Sequence, residues 1–435
     1  DTDCIDKDRP KIFQYIIDRF GAEKTARVAA FGTLQAKATI KGIGNALAKY
    51  WEEKKSGEQF KPSDKFSPDN PYSLRNIDGV VEEFLMDEDL AKKNHPDIFF
   101  YYDGLLNTKI SQSIHPAGIV ISPITLTDNY GVFDKDGERC AFIDMEELHA
   151  VGAVKFDFLI LKNIGIINDA CKMAGIPYPH MSEMNFDDQK VWNDMLRSPI
   201  ALFQFESSFA YSLMKRFKPK SIFELTLVNA ALRPGGASYR DKLVERIPNK
   251  NPSEEIDTLL KNNLGYLVYQ EDVMNFLTQI CGMSGGESDR IRKMITKKKV
   301  DEIEAITPKI LDGYCNHSDK PRAEAKEEAM EFMKVIKDAG SYAFNFNHSV
   351  SYSLVSYLCA YLRCYYPCEF ITAYLNNAAN EDDVINGTTL AAEYGFKVTP
   401  PRFGASRDIF YFNKEKKEIA KGLTSVKYMS AALAN

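Results

Sequence analysis

Apolar residues recur at Ile12, Phe13, Ile16, Ile17 and Phe20 within the segment Pro10 to Phe20, a spacing that lines one side of a helix. Pro10 near its start and Gly21 just past its end are matching punctuation, since proline suits a first turn and glycine a left-handed exit. A helix packed on a sheet is predicted here. From Thr33 to Trp51 helix formers dominate, and Lys54 to Tyr72 then collects Ser, Gly, Asp and Asn with Pro62, Pro68 and Pro71, which predicts a loop. Ile119 to Pro123, Cys140 to Asp144 and Val154 to Ile160 read as strands. In the last of these, Val154, Phe156, Phe158 and Ile160 alternate with Lys155 and Asp157, so the apolar set is expected to bury the face opposite the charged pair. Lys162 to Gly175 reads as a helix. Beyond it helical patterns predominate, broken by loops at Pro248 to Glu255 and Asn376 to Gly387. The fold class expected is α+β, mainly helical.

At 435 residues the chain has room for two or three domains, and 44% hydrophobic residues allow sizeable cores. No run of about 18 or more apolar residues and no signal-peptide pattern is present, which predicts a soluble cytoplasmic protein with no membrane partner. The eight cysteines lack the paired spacing of a zinc ribbon, and Cys359, Cys364 and Cys368 read as structural thiols along a helix. A net charge of −6 runs against nucleic-acid binding, which needs cations along the phosphate path. Distribution changes that picture. Arg290, Arg292, Lys293, Lys297, Lys298 and Lys299 form one basic run, and Lys215, Arg216, Lys218 and Lys220 a second. On residues alone such runs are as readily solvated faces.

The candidate chemistry lies in the carboxylates. Asp1 and Asp3 stand on one side of a strand-like start, and Asp157 on the charged face of the segment Val154 to Ile160. Three acidic groups brought together repel one another unless a divalent cation neutralises them, and Mg²⁺ prefers oxygen ligands. The alternative is a solvated turn and an unrelated strand, since Asp-x-Asp pairs are common by chance. Lys155 shares the face of Asp157, where it can meet a phosphate or tune the carboxylates; otherwise it is a lysine with its head in solvent.

An ordered series of motifs surrounds these residues. It comprises Arg9-Pro10, Ala30-Phe31-Gly32-Thr33-Leu34-Gln35-Ala36-Lys37-Ala38, His115-Pro116-Ala117-Gly118, Phe203-Gln204-Phe205-Glu206-Ser207, Leu232-Arg233-Pro234-Gly235, Val268-Tyr269-Gln270-Glu271, Arg292-Lys293-Met294 with Lys297-Lys298-Lys299, and Phe344-Asn345-Phe346-Asn347-His348-Ser349. In this order they closely resemble the alpha subunit of bacterial DNA polymerase III, the C-family replicative polymerase, nearer its DnaE branch than its PolC branch. The resemblance implies a split nucleotidyltransferase-type palm (1–32 and 111–162), a helical thumb (33–110) and large helical fingers (163–435). It implies template-directed DNA synthesis, with two Mg²⁺ ions, for which Mn²⁺ can substitute, held by Asp1, Asp3 and Asp157 beside Lys155. Arg233, Arg292, Lys293, Lys297, Lys298, His348 and Tyr352 are the residues it implies for the incoming dNTP, and Lys37, Lys215 and Arg216 for primer-template DNA. Replisome subunits such as a sliding clamp are implied as partners through regions absent from this chain.

Some positions depart from the family pattern. Ile160 stands where Asp-Phe-Leu is usually followed by glycine, Phe346-Asn347 replace a usual Lys-Ser before the histidine, and Gly236-Ala237 follow Arg-Pro-Gly where proline is more common. The lost lysine predicts weaker triphosphate affinity, and the set of departures a divergent, phage-borne or unusual bacterial member. The first residue is Asp and not Met, and the family carries a phosphoesterase-like domain, the first part of the palm and a Gly/Ser-rich nucleotide-binding segment before this point. A fragment is therefore expected, inactive alone. A metal-dependent phosphodiesterase using the same acidic cluster and a non-catalytic DNA-binding fragment are the alternative readings.

Overall fold

The computed structural model describes residues 2–434 apart from 144, 234–236, 298, 341–342, 403–405 and 427. The chain divides into two compact units, Asp1–Ile160 and Leu161–Asn435, and is mainly helical with a mixed sheet. Among the described residues no helix is long and apolar enough to cross a membrane.

The first unit is built on six strands: β1 (Thr2–Cys4), β2 (Thr25–Thr33), β3 (Lys109–Ile121), β4 (Val132–Lys135), β5 (Glu138–Ala141) and β6 (Val154–Ile160), in the order β1-β6-β3-β2-β5-β4. β1 is parallel to β6 and β2 to β5, and the other neighbours are antiparallel. The helix Arg9–Phe20 lays Phe13 and Ile16 on Ile119, with Ile121 and Phe158 beside them. Gly21 closes that helix at φ 91°, a value that side-chain-bearing residues avoid. The opposite sheet face buries Ala26, Val28, Val120 and Ala141 with Leu126, Leu148 and Ala153.

The expected burial of β6 needs correcting. Val154, Phe156 and Ile160 are 52%, 43% and 43% exposed, and only Phe158 finds cover, edge-on to Phe13 at 5.9 Å. The helix Arg9–Phe20 covers Ile119, Ile121 and Phe158, and Phe156, although paired with Ile119, stays outside that cover. β2 escapes a reading by alternation because Thr25 to Ala29 are all buried, Arg27 included.

Between β2 and β3 the chain forms the helices Ala36–Ser56, Leu74–Met86, Glu88–Asn94 and Pro96–Leu105 around a core of Ile40, Ile43, Ile77, Val80, Ile98 and Phe99. The first continues past Trp51 to Ser56, so the loop begins at Gly57 and not at Lys54; Gly57, at φ 77°, donates to the Glu53 carbonyl. Helix-forming Glu52, Glu53, Lys54 and Lys55 carry it on until a residue that tolerates the left-handed exit is met.

In the second unit the long helix Phe346–Tyr365 is central and shares cores with the helices Lys162–Ala174, Gln189–Met195, Ile222–Ala231 and Pro367–Asn376. Arg363 on it is buried but fully answered. It donates to Asp194 Oδ2 at 2.8 Å and to the carbonyls of Asp194, Ser198 and Ile200. Another correction concerns Asn376 to Gly387, most of which is the start of the helix Glu381–Glu393. Asn380 caps it by accepting from Asp383 N, acidic residues fill its first turn, and Gly387 lets Leu375 and Tyr374 pack where a Cβ would meet them at 2.5 and 3.0 Å. Cys359 and Cys368 are buried thiols and Cys364 is partly so; none is in a disulfide. Near the end, β7 (Lys397–Thr399), β8 (Tyr411–Asn413) and β9 (Glu418–Ala420) form a small sheet in the order β7-β9-β8.

Candidate active site

Two neighbouring strands and one bulge build the charged group of the first unit. Arg27 on β2 pairs with Ile119 on β3, but Ala29 pairs with Ile114. Two steps along β2 thus face five along β3, and His115 to Gly118, four residues against the single Val28, arch out of that ladder. Pro116 has no N–H to offer a ladder, which suits the bulge. On its other side β3 pairs with β6, Gly118 opposite Asp157 and Val120 opposite Lys155. Lys155 and Asp157 therefore share one face. Lys155 Nζ lies 3.0 Å from Asp157 Oδ2, with only 9% of its side chain exposed.

The absence of a side chain at Gly118 makes the room for this pair. A Cβ there would lie 2.8 Å from Lys155 Cε, 3.0 Å from His115 Nδ1 and 3.2 Å from Asp157 Oδ1. His115 Nδ1 accepts from the backbone N–H of Gly118 at 2.9 Å and of Ala117 at 3.3 Å, and stands 3.7 Å from Asp157 Oδ1. A ring nitrogen accepting two amides carries no proton, so the neutral tautomer has its proton on Nε2. Burial holds the imidazole below the ordinary histidine range, reinforced by the Lys155 charge and only partly offset by Asp157. Asp157 Oδ1 is itself buried with no hydrogen-bond donor among the described residues, the state of an oxygen suited to a hard cation.

Asp3 pairs with Leu159 across β1 and β6, two residues along from Asp157, and so occupies the same sheet face. Asp1 lies outside the described residues, and with it the expected three-carboxylate convergence. Among the described residues no three His, Cys, Asp or Glu side chains gather into a cation site.

The bulge is fastened by arginines. Arg27 Nε donates to Gly118 O at 2.9 Å, and its Nη2 to His115 O and Pro116 O at 2.9 Å each. Its Nη1 pairs with Glu138, and the guanidinium lies over the Phe13 ring at 4.4 Å. Arg9 also donates to Pro116 O, at 3.0 Å. Sequence reasoning assigns no role to His115 or Arg27. His115 stands in a motif, but Arg27 carries no signal, since its partners lie 88 to 111 residues away.

The second unit brings together Arg233, His348 and Tyr352 through intervening rings. The Arg233 guanidinium lies 4.5 Å from the Phe344 centroid. Phe344 meets His348 at 5.2 Å, His348 meets Tyr352 at 3.9 Å, and Tyr352 meets Phe203 at 5.0 Å. Asn345 caps the helix Phe346–Tyr365 by accepting from His348 N, which sets His348 and Tyr352 one turn apart on one side. Arg292 connects to the same segment through Gln270, donating to its Oε1 at 2.7 Å. Gln270 in turn donates from Nε2 to Ala343 O and from its backbone to Phe344 O.

The remaining candidates are more dispersed. Arg292 is also held by Asp289, which pairs with the exposed Lys293 as well. Lys297 is exposed at the end of the helix Gly285–Thr296, and Lys298 is outside the described residues. Arg216 is paired with Asp241 and Glu245. Lys215 lies over the Tyr211 ring at 4.7 Å, and Lys37 is exposed in the first turns of its helix.

Residues 1–160 match the family described as the bacterial DNA polymerase III alpha NTPase domain, and residues 163–318 that described as the bacterial DNA polymerase III alpha subunit finger domain. Both define one class, the alpha subunits of a bacterial DNA polymerase. Similar proteins named DNA polymerase III subunit alpha include that of Aquifex aeolicus, 28% identical across 98% of this chain and 39% of the relative. That of Borreliella burgdorferi is 32% identical across 89% of this chain and 33% of the relative, and that of Bacillus subtilis 27% identical across 98% and 38%. The chain belongs to the bacterial DNA polymerase III alpha family. It spans between a third and two fifths of the length of these relatives.

Proposed function

We propose that this chain supplies the nucleotidyl-transfer core of a template-directed DNA polymerase, with residues 1–32 and 111–162 as palm, 33–110 as thumb and 163–435 as fingers. The observation that carries the reading is the buried Asp157 Oδ1, with no donor of its own beside the Lys155 pair, in a chain of this family. Asp3 and Asp157 share one sheet face and are carboxylates, whose oxygens suit Mg²⁺ or Mn²⁺ better than a softer metal. Two such ions, held by Asp1, Asp3 and Asp157, would supply the charge neutralisation that a primer 3′-hydroxyl and a departing pyrophosphate require.

The protein's own contribution is orientation and charge. Lys155 fixes Oδ2 of Asp157 and leaves Oδ1 as the oxygen that would hold a cation. Neutral His115 presents no competing positive charge to that oxygen. In the second unit Arg233, Arg292, Lys293, Lys297 and Lys298 supply cations for the triphosphate, while His348 and Tyr352 offer ring faces to sugar and base. Lys37, Lys215 and Arg216 serve the DNA backbone.

The test is a labelled primer annealed to a longer template, incubated with the whole protein, Mg²⁺ and the four dNTPs. Template-directed lengthening is expected. Shortening of the primer, with no lengthening, would instead support a phosphodiesterase and overturn the proposal.

A further inference from the structure

Beside the one bond from Arg9 to Pro116 O and the amides held by His115 Nδ1, Arg27 makes three bonds to the backbone of the His115–Gly118 bulge. By leaving the ladder, the bulge leaves the carbonyls of His115, Pro116 and Gly118 without strand partners on the β2 side. A single guanidinium donates to all three. Its planar fork can do this where a lysine, a point charge on a flexible stem, cannot. Arg27 works from the far side of the sheet. It pairs with Ile119 and lies over Phe13 on the face covered by the helix Arg9–Phe20, whereas Asp157, opposite Gly118, stands on the other face. It therefore grips the backbone of the bulge while the bulge's other side presents His115 Nδ1 and the notch at Gly118 to Lys155 and Asp157. Glu138 and the Phe13 ring fix the guanidinium in turn.

We infer that Arg27 is a positioning residue for nucleotidyl transfer, acting through the His115–Gly118 bulge to set the rotamers of Asp157 and Lys155, with no contact of its own to substrate. The inference rests on the polymerase reading. It predicts a particular kinetic signature. Misplacement of a catalytic carboxylate by a fraction of an ångström slows the chemical step, while nucleotide affinity, governed by other residues, is retained.

The experiment uses the whole protein with Arg27→Met, Arg27→Lys and Arg27→Ala, beside Asp157→Asn. Arg27→Met keeps a stem over Phe13 and is the variant expected to fold. Its kcat for nucleotide addition should fall on the order of 10-fold to 100-fold, with KM for dNTP within about 3-fold of wild type. Arg27→Lys should recover little of that loss. Guanidinium ion at non-denaturing concentration should raise the rate of Arg27→Ala saturably and leave Asp157→Asn unchanged. A kcat for Arg27→Met within twofold of wild type would overturn the inference, as would a folded Arg27→Ala that guanidinium does not rescue. Ordinary extension by Asp157→Asn would instead sink the polymerase reading itself, whatever the Arg27 variants do.

Discussion

Gly118 shows how much at this site depends on a missing methyl group. Its backbone is opposite Asp157, and the space a Cβ would take is filled by Lys155 Cε, His115 Nδ1 and Asp157 Oδ1. Alanine there must push aside a lysine stem, which moves easily, and an imidazole fixed by two amides, which does not. Gly118→Ala should therefore break the 3.0 Å Lys155–Asp157 pair without unfolding the sheet. The expected outcome is primer extension reduced about 10-fold or more, with folding stability changed by roughly 1 kcal/mol or less. Thermal unfolding and single-nucleotide extension measured on one preparation check both halves. Normal extension would mean that the notch is only packing. At this scale the sequence was partly legible. Lys155 and Asp157, two residues apart on a strand, had to share a face, but His115 and Arg27 depend on a bulge that only the long-range pairing of β2 with β3 creates.

Among the elements, the short helix Gln270–Asn275 holds a buried carboxyl whose titration can be followed. Asp272 Oδ2 accepts from Val268 N, Tyr269 N and Asn263 Nδ2, which ties the helix start to the segment before it. Although the residue keeps some exposure, desolvation of its carboxyl outweighs these donors and pushes its pKa up to about 6. The unfolded chain would titrate near 3.9. Between those values the folded state binds the proton that the unfolded state releases, so this group's contribution to stability is largest at low pH and is lost as pH rises through about 6. The stability of wild type relative to Asp272→Asn should rise as pH falls from 7 to 4.5, by ~1–3 kcal/mol. Denaturant unfolding at a series of pH values reads this. A difference that shrinks on acidification would show that the three donors govern instead. Element boundaries were legible where punctuation is local. Pro10 and Gly21 bracket the first helix, and Gly175 ends the helix Lys162–Ala174 at φ 69°. The helix Glu381–Glu393 was misread because Asn380 and Gly387 look like loop residues, yet one is its cap and the other a contact with Leu375.

For the molecule as a whole, a net charge of −6 hides how its charges are distributed. The charged residues are sorted into local groups, some paired, as Arg216 is with Asp241 and Glu245, Lys293 with Asp289 and Arg363 with Asp194, and others exposed, as Lys37 and Lys297 are. The family was legible because an ordered series of short motifs survives at 26–32% overall identity. The division after residue 160 was nearly so, since β6 ends at Ile160 and the helix Lys162–Ala174 follows, closed at its far end by Gly175. Above all, Asp157 is proposed to anchor catalytic cations for DNA synthesis. This is tested most directly by single-turnover primer extension with Asp157→Asn in the whole protein, alongside primer-template affinity. Extension should fall by about 10³-fold or more with DNA affinity changed less than roughly 3-fold, since a lost metal ligand removes transition-state stabilisation while phosphate contacts elsewhere persist. Extension within a few-fold of wild type would contradict it.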